Sequence, residues 1–234
     1  MSNKKVAIVT AAGRGMGAAI ARRLKNEDFQ LVLMSISGGA EALAGEIGAV
    51  ALTGSVTEAD DLKQLVDLAM SNFGRIDALV NNTGHAPKGP LLEISDQEWH
   101  SGMDLLLLNV VRMARLVTPI MLAQGGGSIV NISTFTVFEP ELAFPVSSCL
   151  RAALAGFAKQ YADLYAQHGI RMNNLLPGFV DSYPQTDANT SRIPFGRYGS
   201  LDEIAGTVAF LVSKDAGYIT GQNIRADGGL TRSI

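Results

Sequence analysis

A glycine-rich turn near the start of the chain has the residue types and spacing needed to hold a phosphate group. Residues 10–17 read Thr-Ala-Ala-Gly-Arg-Gly-Met-Gly and join an apolar run to a segment of helical period. Glycines let the backbone approach a pyrophosphate, and the amino end of a helix favours its negative charge. The turn therefore predicts a dinucleotide site formed by Thr10, Gly13, Arg14, Gly15, Met16 and Gly17. The alternative is a glycine-rich turn that serves only the packing of helix on sheet.

The neighbouring residues bear on which dinucleotide would bind. An NAD-preferring site places an acid at the end of the second strand, where it binds the ribose hydroxyls. Ser35, Ile36 and Ser37 take that place here, and Arg14 could meet a 2′-phosphate. The sequence thus favours NADP(H) over NAD(H), with Ser35 and Ser37 as further cofactor contacts. The alternative for Arg14 is a solvated loop residue.

The hydrophobic pattern indicates the scaffold that must position these residues. Continuous apolar, β-branched runs are typical of a parallel sheet buried on both faces. The predicted strands are Val6–Thr10, Leu31–Ser35, Val50–Thr53, Ala78–Asn81, Ser128–Ser133, Met172–Leu176 and Asn223–Ala226. The predicted helices are Gly17–Lys25, Ala40–Ile47, Ala59–Phe73, Trp99–Leu122, Ser147–His168 and Leu201–Val212. This alternation predicts an α/β fold: a Rossmann-like, doubly wound parallel sheet of about seven strands, with helices on both faces, forming a single domain over residues 1–234.

Composition narrows the partners and the compartment. The 234 residues carry a net charge of −3 without a long basic run, so we expect neither nucleic acid nor an anionic membrane as the main partner. The amino-terminal residues lack the apolar stretch of a signal peptide, and no apolar run reaches membrane-spanning length, so we expect a cytoplasmic protein. Cys149 is the single cysteine, which excludes an intrachain disulfide and a cysteine-based metal cluster. No metal is expected.

These motifs together resemble the short-chain dehydrogenase/reductase family, and the resemblance covers essentially the whole chain. The glycine-rich turn is similar to the family's Thr-Gly-x-x-x-Gly-x-Gly, with Ala11 in place of the first glycine. That methyl is a modest change if the backbone keeps a negative φ and a serious one if it does not. Residues 81–84, Asn-Asn-Thr-Gly, resemble the family's Asn-Asn-Ala-Gly, and residues 196–229 resemble its C-terminal segment. The resemblance implies further cofactor contacts at Ser55 (in place of an aspartate near the adenine), Val56, Asn81, Asn82, Gly84, Pro177 and Gly178.

The family's proton-transfer positions carry different residues in this chain. In the family, a serine is followed thirteen residues later by a tyrosine and four residues after that by a lysine. The same spacing falls on Thr134, Ser147 and Arg151, and the ungapped interval from Arg151 to Pro177 fixes the alignment. The resemblance therefore places Thr134, Ser147 and Arg151 at the catalytic positions, with Arg151 also against the cofactor. Leu106 falls where the family has an asparagine, and Asn109 lies one turn further along.

These substitutions change what the site can do. Thr134 keeps a hydroxyl for a carbonyl oxygen, whereas Ser147 is shorter and far less acidic than a phenol. Arg151 keeps a positive charge but does not relay protons. One hypothesis is an NADP(H)-dependent oxidoreductase that acts on a small carbonyl or alcohol by a non-standard proton donor. The alternative is a non-redox protein, either a nucleotide-binding regulator or scaffold or an enzyme of another reaction class; in a third hypothesis the dinucleotide is lost as well.

Other groups could supply the missing proton or shape the pocket. His85 follows the Asn-Asn-Thr-Gly turn and could titrate usefully, and Tyr183 could supply a replacement phenol. Glu139 and Glu141 could act as a base or bind a cationic substrate. For each of these the alternative is an ordinary surface or packing role. Candidate pocket-lining aromatics are Phe135, Phe138 and Phe144.

The predicted helix Trp99–Leu122 has too many apolar residues for a single core-facing stripe. Either it is sandwiched within the core, or one face meets another subunit. In the resembled family the corresponding helices pair across a dimer interface, which implies a homodimer or homotetramer.

Overall fold

A seven-stranded, all-parallel sheet forms the centre of the protein in a computed structural model that describes residues 4–234. The strands are β1 (Val6–Val9), β2 (Gln30–Ser35), β3 (Val50–Thr53), β4 (Ala78–Asn81), β5 (Gly127–Ile132), β6 (Ile170–Pro177) and β7 (Asn223–Ala226). Their order is β3-β2-β1-β4-β5-β6-β7, so the chain reverses its direction of winding between β1 and β4. Ligands of such sheets bind outside the carboxyl ends of the strands at this switch point.

Helices cover both faces of the sheet. They are α1 (Gly15–Asn26), α2 (Gly39–Ile47), α3 (Ala59–Phe73), α4 (Asp96–Met103), α5 (Asn109–Ala123), α6 (Pro145–Tyr165), α7 (Asp187–Thr190) and α8 (Leu201–Val212). One apolar core joins the sheet to α1, α2 and α8, and the other joins it to α3, α5 and α6. The predicted fold class is therefore confirmed.

The long predicted helix differs from its prediction in two ways. It begins at Asp96, because Ser95 and Glu98 form a capping box in which each side chain accepts from the backbone N–H of the other. A π-helical turn over Asp104–Leu108 then separates α4 from α5. By length and composition alone, the stretch Asp96–Ala123 could cross a membrane, which corrects the expectation that no apolar run is long enough; 44% of its most apolar window is buried within the fold. In the fold it packs against α3 and α6; contact of its outer face with another subunit stays a prediction.

A short helix interrupts the loop that follows β6. The sequence analysis places no element between Met172–Leu176 and Leu201–Val212, whereas in the structure Thr186 caps α7 by accepting from the backbone N–H of Asn189 at 3.3 Å. Four residues are too few for a periodic hydrophobic signal, so the pattern gave no sign of it.

Four asparagines form a side-chain ladder across the neighbouring strands β4, β5, β6 and β7. Each of Asn81, Asn131 and Asn174 donates its amide to the next asparagine at 2.8 Å, and the ladder ends at Asn223. The four residues stand directly opposite one another in β4, β5, β6 and β7. The ladder crosses the sheet close to the ends of β4 and β5, beside which the predicted site residues lie, and it was not predicted from the sequence. The visible signal was one asparagine in each of four strands.

Candidate active site

A cavity of about 310 Å³ opens at the carboxyl ends of β4, β5 and β6. Leu106, Thr134, Ser147 and Arg151, which spacing placed at the family's catalytic positions, all line it. The structure thus brings together four residues that are up to 45 positions apart in sequence. Their catalytic roles stay predictions.

Local structure explains how three of these side chains reach the cavity. Thr134 follows β5, and its hydroxyl accepts from the backbone N–H of Thr136 at 3.5 Å. Proline at the start of α6 favours the first helical turn, and Ser147 lies in that turn. Arg151 is four residues further and so shares the helix face of Ser147.

Arg151 is a buried cation with an exposed fraction of only 8%. Its guanidinium donates to the Ile132 carbonyl at the end of β5 and, at 3.4 Å, to the Thr83 hydroxyl. Burial lowers its pKa to about 10, and within residues 4–234 no carboxylate forms an ion pair with it. Arg151 therefore stays charged near neutral pH, where it can orient a ligand and stabilise negative charge.

Leu106 gives the cavity an apolar wall where the resembled family has an amide. It lies in the π-helical turn, is 1% exposed, and packs with Val146 and Leu150 of α6. Asn109 is buried outside the cavity lining, and its Oδ1 has no hydrogen-bond partner in the described chain. The position of Asn109 does not favour a shifted role for its amide in the cavity.

The glycine-rich turn is tied to the end of β4 at the switch point. The Thr10 hydroxyl donates to the Asn82 carbonyl at 2.7 Å and accepts from the Asn82 N–H at 2.9 Å. The Asn82 side-chain amide donates to the Ala11 carbonyl at 3.2 Å. A Cβ on Gly17 would stand 2.2 Å from that same carbonyl oxygen, so helix and turn can approach this closely only with glycine there.

Ala11 adopts φ of +46°, a left-handed conformation that disfavours a side chain. Of the two possibilities for its methyl, the structure shows the serious one. Left-handed backbone costs about 1–2 kcal/mol for a residue with a Cβ. The turn keeps this conformation although its first glycine is replaced.

The start of α1 fits an anionic group. Gly15 has φ of +55°, which glycine adopts without strain. No side chain caps the helix and no acid lies in its first turn, so its first backbone N–H groups are open to a ligand. Arg14 precedes the helix and is exposed beside it. A glycine cradle, free amides and an adjacent cation together suit a dinucleotide phosphate.

Two of the predicted cofactor contacts, Ser35 and Ser55, also form hydrogen bonds within the fold. The Ser35 hydroxyl donates to the Ser37 carbonyl and accepts from the Ala40 N–H at 3.0 Å, so it holds the start of α2. The Ser55 hydroxyl pairs with the Thr57 hydroxyl at 2.7 Å, while Val56 is buried in the core. Neither the end of β2 nor the loop after β3 carries an acidic residue at the position of these two serines.

The predicted cofactor residues divide between the cavity and the edge of the sheet. Those that line the cavity are Met16, Asn82, Gly84, Arg151, Pro177 and Gly178. The others lie outside the lining, at or after the carboxyl ends of β1, β2, β3 and β4. They are Thr10, Gly13, Arg14, Gly15, Gly17, Ser35, Ser37, Ser55, Val56 and Asn81. A ligand with a reactive end in the cavity and a second end over β2 and β3 fits this arrangement.

The cavity contains no acidic lining residue within the described chain. Glu139 accepts from the backbone N–H groups of Arg232 and Ser233, and Glu141 pairs with Arg192; neither glutamate lines the cavity.

Phe135 and Phe144 line the cavity as predicted, whereas Phe138 lies outside it. His85 and Tyr183 both line the cavity and contact each other. Lining residues that were not predicted from the sequence include Lys88, Phe179 and Tyr198.

Comparison with known protein families gives a match over residues 10–231 to the model described as enoyl-(acyl carrier protein) reductase. A 3-oxoacyl-[acyl-carrier-protein] reductase FabG of Staphylococcus aureus is 37% identical, over 98% of this chain and 99% of its own length. The corresponding protein of Thermotoga maritima is 32% identical, over 97% of each chain.

Solved structures show the same architecture. The chain is similar to YwfH, described as an NADPH-dependent reductase involved in bacilysin biosynthesis, with a TM-score of 0.95 and 29% identity over 99% of this chain and all of that one. It is also similar to a 7α-hydroxysteroid dehydrogenase complexed with NADH and 7-oxoglycochenodeoxycholic acid, with a TM-score of 0.91 and 26% identity over 96% and 93% of the two chains.

Proposed function

Because the chain belongs to the short-chain dehydrogenase/reductase family, we propose that it is an NADP(H)-dependent oxidoreductase acting on a small carbonyl or alcohol without the family's usual tyrosine. One observation carries the proposal. The substituted catalytic positions and the residues expected at the nicotinamide line one cavity, next to a dinucleotide turn that keeps Gly13, Gly15 and Gly17.

Different residues of the chain bind the cofactor and the substrate. The glycine-rich turn and the first amides of α1 bind the pyrophosphate, and Arg14 binds the 2′-phosphate. The Thr134 hydroxyl donates to the substrate carbonyl, while the Arg151 guanidinium stabilises negative charge in the buried part of the cavity. A reduced nicotinamide supplies a hydride when it is bound. Aromatic side chains such as Phe135 and Phe144 shield the inner part of the cavity from water.

The relatives support both the cofactor and the substrate class. YwfH is named as NADPH-dependent, and the staphylococcal and Thermotoga relatives are named as reductases of a 3-oxoacyl group. A 3-oxo ester or thioester is therefore the first class of carbonyl to test. We further propose a homodimer or homotetramer in the cytoplasm.

Titration with NADPH and NADH, followed by intrinsic fluorescence, tests the cofactor. Arg14→Gln is expected to weaken NADPH binding by about ten- to a hundredfold and to leave NADH binding unchanged, since one charged hydrogen-bonding partner of the 2′-phosphate is removed. Arg115→Gln, an exposed arginine on α5, is the matched control and keeps wild-type affinity. Equal loss of both cofactors in Arg14→Gln would contradict the assigned preference.

A panel of aldehydes, ketones, 3-oxo thioesters and alcohols then tests redox activity through the absorbance of NADPH. We expect substrate-linked oxidation of NADPH with at least one carbonyl. Protein that binds NADPH but shows no turnover in either direction across the panel contradicts the proposal.

Ser147, Arg151 and Leu106 at the cavity favour a second candidate, a non-redox protein that binds the dinucleotide as a ligand. It predicts saturable NADP(H) binding without hydride transfer, and steady NADPH oxidation would exclude it. The third possibility, loss of the dinucleotide, is favoured by the strain at Ala11 and predicts no saturable binding of either cofactor.

A further inference from the structure

We propose that Tyr183, hydrogen-bonded to His85, is the proton donor that replaces the family tyrosine. The inference rests on the proposed function and names the group that function requires. Tyr183 lies in the loop after β6 and His85 in the loop after β4, 98 residues apart in the chain.

The two side chains meet at the cavity. The Tyr183 hydroxyl and His85 Nε2 are in hydrogen-bond contact, and the ring centroids are 5.5 Å apart in an edge-to-face arrangement. Both residues line the cavity that also contains Thr134 and Arg151. With 54% of its surface exposed, Tyr183 lies where solvent can exchange protons with the pair.

The other cavity-lining groups are less well placed to donate a proton and to regain it. The Tyr198 hydroxyl accepts from the Asn189 amide at 3.0 Å, an interaction that lowers the pKa of Tyr198, but Tyr198 is only 4% exposed and solvent has little access to return a proton to it. Serine and threonine hydroxyls are much weaker acids than a phenol. Arg151 remains a buried cation that holds the Ile132 carbonyl. The Lys88 ammonium lies over the Phe144 ring, 4.8 Å from its centroid, without a hydrogen-bonded group in the described chain that would return a proton to it.

The proton balance requires both members of the pair. In carbonyl reduction, hydride adds to the carbonyl carbon, the C–O π bond breaks, and the oxygen takes the proton of the Tyr183 hydroxyl. The protonated His85 returns a proton from Nε2 to the tyrosine oxygen and becomes neutral. Solvent reprotonates His85, so the net reaction consumes one hydride, supplied by NADPH, and one proton.

The charges around His85 set the pH range of this exchange. Partial burial lowers the pKa of His85 below its ordinary value of 6.5, and the cations Lys88, Arg151 and Arg14 lower it further. These groups face it from the loop after β4, from α6 and from the start of α1; Tyr183 faces it from the loop after β6, and no carboxylate in residues 4–234 lines the cavity to oppose them. Protonated His85 is thus lost as pH rises through this lowered pKa. Reduction should be faster below that pKa and slower above it.

Kinetics with ethyl acetoacetate and NADPH form the first test. Tyr183→Phe is expected to lower the rate of reduction about 10²- to 10⁴-fold, the range for loss of a general acid, with NADPH affinity unchanged. His85→Gln should keep part of the rate and lose its dependence on acid pH. Tyr218→Phe and His168→Gln are the matched controls, because both residues are exposed and lie outside the cavity.

The second test does not need turnover. The chain has three histidines, so an NMR pH titration resolves His85 once His85→Gln identifies its signal. We expect a His85 pKa below 6.5 that changes in Tyr183→Phe but not in Tyr218→Phe, while His100 and His168 keep theirs.

The outcomes separate this inference from the proposed function. A wild-type protein that binds NADPH but reduces neither ethyl acetoacetate nor any other carbonyl of the panel overturns both. Reduction that survives in Tyr183→Phe, or a His85 pKa that ignores the loss of the Tyr183 hydroxyl, overturns the donor and leaves the proposed function in place.

Discussion

Ala11 occupies a position of the dinucleotide turn where its methyl group works against the backbone conformation. Its φ of +46° is maintained while the Asn82 amide donates to its carbonyl and Gly17 packs directly against it. The surrounding contacts therefore enforce a conformation that the residue itself disfavours.

Ala11→Gly is expected to stabilise the protein by about 0.5–1 kcal/mol, because relief of the left-handed strain outweighs the extra entropy of glycine in the unfolded chain. Urea unfolding measures the change. Ala12→Gly is the matched control: Ala12 is fully buried without a positive φ, so the same substitution there should destabilise. An Ala11→Gly variant that loses as much stability as Ala12→Gly would contradict the interpretation.

At this scale, sequence predicted positions better than conformations. Thr134, Ser147 and Arg151, which the ungapped spacing located, line one cavity in the structure. The φ of Ala11 depends on contacts with Asn82 from another strand. The contact of His85 with Tyr183 joins two loops whose relative position no local pattern records.

The asparagine ladder is an interaction between elements. Asn131 is fully buried at its centre, accepting from the amide of Asn81 and donating to Asn174. A buried amide without a partner costs about 1–3 kcal/mol. The ladder therefore links β4, β5 and β6 through side chains as well as through backbone hydrogen bonds.

Asn131→Ala is expected to lower the free energy of unfolding by about 2–4 kcal/mol, since it leaves one donor on Asn81 and one acceptor on Asn174 unpaired. Asn223→Ala, at the end of the ladder, removes only the acceptor for Asn174 and should cost about half as much. Urea unfolding of the two variants tests the order of the losses. A smaller loss at position 131 than at position 223 would show that the ladder is not the source of the stability.

Strands and helices with a strong hydrophobic period were predictable from the sequence, whereas the π-helical turn was not. All seven strands and the main helices follow from apolar runs and their spacing. The π-helical turn over Asp104–Leu108 does not, because apolar residues there fit an α-helix equally well and the choice depends on packing against α6.

At the scale of the whole molecule, apolar side chains remain on the outer surface of the α4–α5 segment and of α6. Met103, Leu122 and Leu164 are 38%, 40% and 58% exposed. Contact of this surface with a second copy of the chain stays a prediction, and these three side chains are among those it would cover.

Light scattering coupled to gel filtration is expected to give two or four times the chain mass of 24.7 kDa. Met103→Glu combined with Leu122→Glu should shift the protein towards monomer, because association would bury two charges without partners. Lys63→Glu, an exposed change on α3, controls for net charge. A wild-type protein that elutes as a monomer contradicts the predicted assembly.

The asparagine ladder also restricts how the sheet can assemble during folding. A shift of a strand by two residues keeps every side chain on its own face of the sheet, so burial alone opposes such a shift only weakly. If β5 slid by two residues along β4, Asn131 would face Leu79 instead of Asn81, and its amide would be buried beside a hydrocarbon side chain. A pairing shifted in this way would therefore leave a buried amide without a partner, which costs about 1–3 kcal/mol. The four amides of the ladder therefore also help to specify the register of β4, β5, β6 and β7.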